Sequence, residues 1–297
     1  MAEHLLELPV PGSAATIVAR RFDAQGAPRG AVLIAGAMGV KQAFYGELAR
    51  WLAARGWQAM TFDYRGMGES RPPHAVRSLR GFAADLFDWA RDMDAALAAL
   101  ASATPGVPLL VVGHSLGGQL AGMLQLRERI AGLVMLASGS GYWRDNAPPL
   151  KRKVHWFWHV MVPVGVALTG YFPGRRLGAV GDLPRGVVLQ WRRWCMDPRY
   201  HVGAEGETLR QQFASVRCAV VALSISDDEM MTERGIRVLL DCYENAPREL
   251  RRITPGDAGV ARIGHFGFFR SSVAPTLWPR LLDTLAAMVT PRETVAA

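Results

Sequence analysis

The segment at residues 113–117, Gly-His-Ser-Leu-Gly, has the G-x-S-x-G spacing that places a serine nucleophile on a tight turn. Such a turn joins a strand to a helix through strained backbone angles, and the flanking glycines let neighbouring backbones approach without a Cβ clash. The Ser115 hydroxyl would then project above the strand ends, beside helix amides that can stabilise an anion. An apolar strand candidate precedes the motif and a helical segment follows it. We therefore predict that Ser115 is a nucleophile that attacks acyl groups.

A serine hydroxyl needs a base to take its proton, and the base is most often a histidine that a carboxylate orients. Where G-x-S-x-G lies on a strand-to-helix turn, the acid and then the histidine follow the serine along the chain. Of the seven histidines, only His265 comes after residue 202, in a glycine-flanked loop before the last helix candidate. We predict His265 as the base.

Three adjacent carboxylates compete for the role of the acid, at Asp227, Asp228 and Glu229. The usual distance between strand and acid favours Asp228, with Asp227 as the runner-up and Glu229 as the weakest candidate. Three neighbouring carboxylates would also suit an ordinary solvent-exposed loop, so only their position after a strand supports the catalytic role. The choice between the two aspartates is left open.

The oxyanion formed during acyl transfer needs two N–H donors. Leu116, which follows the nucleophile, supplies one of them. The second is expected from the loop at residues 35–39, after the apolar run at residues 31–34. We predict Ala37 as this donor, with Met38 as the alternative. Because only backbone is used, side-chain identity does not help the choice.

The elements that position these residues alternate between strand-like and helix-like runs, which predicts a mostly parallel central sheet flanked by helices. Continuous apolar runs such as residues 108–112 are typical of strands covered on both faces. Apolar residues recur every three or four positions at residues 44–52 and 79–100, which predicts core-facing helices there. The alternation stops near residue 140 and resumes near residue 218.

This interruption predicts a core domain of residues 1–140 and 216–297, with an inserted, mainly helical cap at residues 141–215. The predicted cap holds five of the nine tryptophans. An aromatic-lined pocket would suit an apolar acyl or aromatic substrate, although each tryptophan alone would equally suit packing of the cap onto the core. The candidate substrate-binding residues are Met38, His114, Trp143, Trp156 and Trp191.

One apolar stretch of the predicted cap, residues 154–172, contains no charged residue and approaches the length of a membrane span. Two histidines, a proline and two glycines interrupt it. A span would also place the two halves of one sheet on opposite sides of the bilayer. We therefore predict no stable membrane span, and leave contact between the cap and a membrane open.

The formal net charge is +8 and comes mainly from arginines scattered along the chain, which argues against a nucleic-acid-binding stripe. The three cysteines are an odd number without metal-ligand spacing, so we expect neither a disulfide framework nor a metal site. They favour a reducing, cytoplasmic location, and the N-terminus lacks the features of a signal peptide. No cofactor is expected. A homodimer through the cap surface is left open.

The chain resembles the α/β-hydrolase superfamily in three motifs that occur in the expected order, at residues 36–39, 63–70 and 113–118. It is similar more closely to a bacterial group of predicted α/β-hydrolases in three further segments, at residues 138–143, 171–176 and 263–269. Many members carry His-Gly before the oxyanion loop, where this chain has Ala35-Gly36. That histidine is not part of a catalytic triad, so the departure concerns the stiffness of the loop.

The resemblance implies an α/β-hydrolase fold and a serine hydrolase that cleaves carboxylic esters of a small-molecule substrate through an acyl-enzyme intermediate. The natural substrates of the similar group are poorly defined. Thioester hydrolysis and acyl transfer use the same residues and are kept as alternatives, as is a ligand-binding protein without catalysis. A serine at position 115, rather than an aspartate, argues against dehalogenase and epoxide-hydrolase chemistry.

Overall fold

Ten strands lie within residues 2–290. They are β1 (Glu3–Pro9), β2 (Thr16–Phe22), β3 (Gly30–Ala35), β4 (Trp57–Phe62), β5 (Leu109–His114), β6 (Ile130–Leu136), β7 (Phe172–Pro173), β8 (Asp182–Leu183), β9 (Ala219–Ile225) and β10 (Arg248–Ile253). In the computed structural model, which describes residues 2–290, eight of them form one sheet in the order β1-β2-β4-β3-β5-β6-β9-β10. β7 and β8 form a separate antiparallel pair.

The six strands from β4 to β10 in this order run parallel, and β1 and β2 extend one edge in the antiparallel sense. β3, β4 and β5 are buried along their whole length. Helices cover both faces of a parallel sheet, so its central strands need apolar side chains on both sides. The predicted fold, a mostly parallel sheet flanked by helices, is confirmed.

Eleven α-helices lie within residues 2–290. They are α1 (Gly46–Ala53), α2 (Leu86–Ala103), α3 (Leu116–Leu120), α4 (Pro148–Trp156), α5 (Val162–Thr169), α6 (Arg185–Met196), α7 (Tyr200–Glu205), α8 (Glu207–Ala214), α9 (Glu233–Asp241), α10 (Pro255–Ala258) and α11 (Ala274–Val289). α2 and α9 contribute to the apolar core on one face of the sheet, and α1 and α11 to the core on the other. The carboxyl ends of the parallel strands therefore meet at one edge between two helical layers.

Two details of the fold differ from the sequence prediction. β1 and β2 were not predicted, because both give a weak apolar signal. The side chains of β1 alternate between exposed and partly buried, and β2 combines buried apolar residues with two arginines. α2 begins at Leu86 and not at residue 79, because Asp85 and Asp88 form a capping box in which each carboxylate accepts the other's backbone N–H. Leu79 lies before the helix and packs on Tyr171.

The chain leaves the sheet after β6 and returns at β9, the neighbouring strand. We call residues 141–215 the insertion. It contains α4 to α8 and the β7–β8 pair, and the wider helical turn at Phe157–Met161 joins α4 to α5. Phe172, Trp194 and Phe213 are fully buried and join the core on the α2 face of the sheet. No helix among residues 2–290 combines the length and the apolar character needed to cross a membrane.

The motif at residues 63–70 contains Arg65, which forms a buried ion pair. We expect the loss of this ion pair to lower stability strongly. Arg65 donates to the fully buried Asp92 carboxylate, with Nη2 at 2.6 Å and Nε at 2.8 Å. The Asp92→Ala variant removes one partner of a buried ion pair, so we expect a loss of about 3–5 kcal/mol in the free energy of unfolding, measured by urea denaturation. Glu249→Ala, which breaks an exposed pair with Arg251, is the control and should cost less than about 1 kcal/mol. Equal losses in the two variants would contradict this assignment.

Candidate active site

Ser115 lies between the end of β5 and the start of α3, at the carboxyl edge of the sheet. Its backbone has φ 51° and ψ −111°, a conformation that a non-glycine residue adopts only under constraint. A Cβ on Gly113 would collide with the backbone of Gly118, and one on Gly117 with the Ala35 carbonyl. The two glycines of the motif therefore allow the close backbone packing that holds Ser115 in this conformation.

His265 lies in the loop after α10, where its ring contacts the acid predicted from the sequence. Its Nδ1 lies 2.7 Å from Oδ2 of Asp228, and both side chains are almost fully buried. The other carboxylate oxygen accepts the backbone N–H groups of Met230 at 2.8 Å and Met231 at 3.0 Å. Since a carboxylate only accepts hydrogen bonds, Nδ1 carries the proton and Nε2 keeps its lone pair for a hydroxyl.

Asp227 and Glu229 make different contacts. Asp227 accepts the backbone N–H groups of Ile263 at 3.0 Å and Gly264 at 2.9 Å, so it anchors the loop that carries His265. Glu229 is partly exposed and pairs with Arg262 at 3.2 Å. Of the three neighbouring carboxylates, Asp228 alone contacts the His265 ring, and the geometry favours it as the acid.

The hydrogen bonds of the loop at residues 35–39 favour the alternative donor, Met38, over Ala37. The single N–H of Ala37 already donates to Oη of Tyr45 at 2.8 Å. The N–H of Met38, the alternative, donates to no acceptor within residues 2–290, whereas both Ala37 and Met38 line the same cavity as Ser115. Leu116 opens α3, so its N–H has no partner within the helix. We therefore favour the amides of Leu116 and Met38 as the candidate oxyanion donors.

A buried hydrogen-bond chain links the loop of Ala37 to the loop of His265. His114 is fully buried, and burial holds its pKa well below the ordinary value, so its ring is neutral. Nε2 of His114 lies 3.0 Å from the carbonyl of His265, which only accepts, so Nε2 carries the proton. Nδ1 of His114 must then accept the Tyr45 hydroxyl at 2.9 Å. Tyr45, in turn, accepts the Ala37 N–H, and every donor in the chain has one acceptor.

From this hydrogen-bond chain we predict that Tyr45, which lies outside the cavity lining, affects catalysis. The Tyr45→Phe variant leaves the Ala37 N–H and His114 Nδ1 without partners, so we expect unfolding to become about 1–3 kcal/mol more favourable. It also loosens the loops that hold Met38 and His265, so kcat should fall while KM changes little. Steady-state kinetics with a short ester and urea denaturation measure the two effects.

Tyr200→Phe is the matched control, because the Tyr200 hydroxyl is equally buried and donates to Gln119 at 2.8 Å outside both loops. It should lose stability to a similar extent and retain kcat. If the Tyr45→Phe enzyme keeps the kcat of the wild type, the hydrogen-bond chain does not position the catalytic groups.

Ser115 and His265 open into a cavity of about 400 Å³ between the sheet edge and the insertion. Most of its lining is apolar, and its principal apolar side chains are Met38, Leu150, Val154, Phe157, Trp158, Met161, Leu177, Val180, Trp191, Met230, Met231 and Phe266. Besides Ser115 and His265, its polar members are Lys153, Asn146 and Cys195. Burial raises the pKa of the Cys195 thiol well above its usual value, so this group stays protonated.

Of the predicted substrate-binding residues, Met38 and Trp191 line this cavity, and His114, Trp143 and Trp156 do not. His114 lies behind Ser115, and Trp156 points to solvent with 59% of its surface exposed. Several of the lining residues that sequence reasoning missed lie on one face of α4 and the segment that follows it. Their positions 150, 154, 157 and 161 follow the helical spacing, which was a signal in the sequence.

The mostly parallel sheet, the strained serine between β5 and α3, and the contact between Asp228 and His265 on later loops are the features of an α/β-hydrolase. The chain belongs to the family described as serine aminopeptidase, S33, whose sequence model matches residues 26–244.

Solved structures agree with this fold. A soluble variant of monoglyceride lipase from Saccharomyces cerevisiae, in complex with a substrate analogue, superposes with a TM-score of 0.70 at 16% identity, over 98% of this chain and 97% of that one. A thermostable carboxyl esterase from Bacillus coagulans, in complex with glycerol, gives 0.68 at 12% identity, over 98% and 100%. A putative hydrolase from Agrobacterium vitis S4 gives 0.59 at 19% identity, over 97% and 99%. At these low identities, the TM-scores establish a shared fold and no more than that.

Proposed function

We propose that the protein is a serine hydrolase that cleaves carboxylic esters with apolar acyl groups. The observation that carries the proposal is the 2.7 Å contact between His265 Nδ1 and Asp228, beside a cavity that His265 shares with Ser115. An imidazole oriented in this way offers Nε2 as a base to a hydroxyl. The names of the similar lipase and esterase structures are consistent with this activity.

The reaction proceeds in two halves. Ser115 Oγ forms a bond to the acyl carbon as its proton passes to His265 Nε2, and the amides of Leu116 and Met38 stabilise the tetrahedral oxyanion. The C–O bond to the alcohol then breaks, and His265 gives the proton to the leaving oxygen. Water then attacks the acyl-enzyme with His265 again as base. The carboxylic acid product leaves as His265 returns a proton to Ser115 Oγ. Asp228 stabilises the imidazolium in both halves.

The composition of the cavity favours esters over the amino-terminal peptide substrates that the name of the family suggests. An aminopeptidase substrate carries an ammonium group, which needs a carboxylate partner when it is buried. Among the described lining residues there is no aspartate or glutamate, and Lys153 would repel an ammonium. An apolar ester meets no such penalty.

The insertion, residues 141–215, supplies much of the apolar lining, and we propose that it is the cap of a core formed by residues 1–140 and 216–297. The three cysteines are free thiols, in keeping with the cytoplasmic location that we propose. Thioester hydrolysis and acyl transfer would use the same residues and differ only in the leaving group or the acceptor.

A chain-length series of nitrophenyl esters tests the proposal. We expect kcat/KM to rise by up to roughly fourfold per methylene while the acyl chain extends into the apolar cavity, and then to level off. A fluorophosphonate probe should label the protein at Ser115, which a binding protein without catalysis would not show. Cleavage of an aminoacyl nitroanilide in preference to the esters would contradict the proposal. Parallel assays with an acyl thioester and with an added alcohol separate the two alternatives.

A further inference from the structure

The insertion carries an unusual share of the exposed apolar surface of the protein. Eight large apolar side chains are well exposed among residues 2–290, and five of them lie in the insertion: Trp156, Val164, Leu168, Leu177 and Leu189. Scattered exposed apolar residues need no explanation, whereas a cluster of them marks an interaction surface.

Three of these side chains form a stripe along one side of a long helix. α4, the segment Phe157–Met161 and α5 follow one another without a break. Trp156, Val164 and Leu168 are separated by eight and four residues, which correspond to about two turns and one turn when the wider turn between them is included. In the second half of this helix, Trp158, Val162 and Val166 are buried against the rest of the protein, whereas α4 has no buried residue.

The charges around this stripe have one sign. Residues 146–181 contain no aspartate or glutamate, whereas Lys151, Arg152, Lys153, Arg175 and Arg176 lie in the same segment. Arg175 pairs with the buried Asp182. The other four cations form no salt bridge with any residue of the described chain, 2–290. The N-terminal end of the stripe therefore combines a row of apolar side chains with uncompensated positive charge.

Two residues beside this stripe also line the catalytic cavity. Leu177 is 43% exposed and also lines the cavity, as does Lys153. A Cβ on Gly165 of α5 would lie 3.8 Å from Leu177 Cδ1, so Leu177 is packed beside the helix of the stripe. A surface that covers the stripe would therefore lie close to one side of the cavity that contains Ser115.

We propose that this docking face, formed by Trp156, Val164, Leu168 and Leu177 with Lys151 and Arg152 at one end, binds the surface of an anionic phospholipid bilayer. Apolar side chains enter the boundary between headgroups and acyl chains, and the cations meet the anionic headgroups. A helix with this arrangement lies in the plane of the interface. The inference deepens the proposed function and rests on it for one consequence, that the cavity takes amphiphilic esters from the membrane.

Vesicle flotation tests the docking face separately from catalysis. Wild-type protein and Ser115→Ala are each incubated with phosphatidylcholine vesicles and with phosphatidylcholine–phosphatidylglycerol vesicles, at low and high salt. We expect both proteins to float with the anionic vesicles, and less so at high salt. The double variant Trp156→Glu, Leu168→Glu should partition at least roughly tenfold more weakly. Leu5→Glu is the matched control, since Leu5 on β1 is 58% exposed and Trp156 is 59% exposed.

The double variant should hydrolyse a short, water-soluble ester at the wild-type rate, which shows that it is folded. Absence of flotation of the wild type, or equal flotation of the double variant, would overturn the docking proposal. Sedimentation velocity gives a further outcome. If the wild type is a dimer, the double variant is a monomer and neither floats, the face serves self-association and the docking proposal is overturned. Flotation without ester turnover by the wild type would leave the docking face supported and overturn the proposed function.

Discussion

The Ser115→Ala variant will lose about 10⁶-fold in kcat on carboxylic esters, because the atom that forms the bond to the acyl carbon is gone. The described lining of the cavity also contains the Cys195 thiol. Its pKa is raised by burial, so a thiolate does not replace the alkoxide. Alanine accepts the strained backbone of this position as readily as serine does, so the fold should be retained.

The control is the loss of another buried serine hydroxyl near the same edge of the sheet. Ser140 is 2% exposed, lies outside the cavity lining and has an Oγ without a hydrogen-bond partner among residues 2–290. Ser140→Ala should therefore keep wild-type turnover and fluorophosphonate labelling, whereas Ser115→Ala loses both. Unchanged thermal unfolding of the two variants confirms that they are folded. Turnover by Ser115→Ala within tenfold of the wild type would refute Ser115 as the nucleophile.

The sequence predicted the parts of the molecule that depend on local pattern and chain order. The continuous apolar runs of β3 and β5 are visible because a parallel sheet buries both faces of its strands. Ser115 and His265 could be selected because glycine spacing and the order of residues along the chain are themselves sequence features. β1 and β2 were missed, because their weak apolar pattern acquires meaning only when β4 pairs with β2.

The details that sequence could not predict depend on distant contacts. Ala37 and Met38 are equivalent in sequence, and only the Tyr45 hydroxyl, which takes up the Ala37 N–H, distinguishes them. The aromatic residues of the insertion cannot be told apart by residue type. The rotation of α4 turns Trp156 outward and places the next residue, Phe157, in the cavity lining. Neither outcome follows from residue type, because each is set by the packing of separate elements.

The second large effect concerns the acid. The Asp228→Asn variant should lower kcat by about 10⁴-fold with little change in stability. In the wild type, one carboxylate oxygen accepts the Met230 and Met231 amides and the other accepts His265 Nδ1–H. The variant side chain has one oxygen, which the two backbone amides retain, so its NH₂ group faces His265. Nδ1 must then accept, the ring proton moves to Nε2, and the imidazole loses the lone pair that Ser115 needs.

Asp227→Asn is the matched comparison, because it makes the same chemical change one residue away. That variant gives up one of the two N–H acceptors that Ile263 and Gly264 use, so the loop of His265 loosens while the ring keeps its carboxylate partner. We expect a loss of about 1–3 kcal/mol in stability and a decrease in kcat far smaller than that of Asp228→Asn. Rates under substrate saturation and urea denaturation distinguish the two aspartates. A larger loss of kcat in Asp227→Asn than in Asp228→Asn would reverse the assignment, because orientation of the imidazole, and not anchoring of its loop, determines whether Nε2 can act as a base.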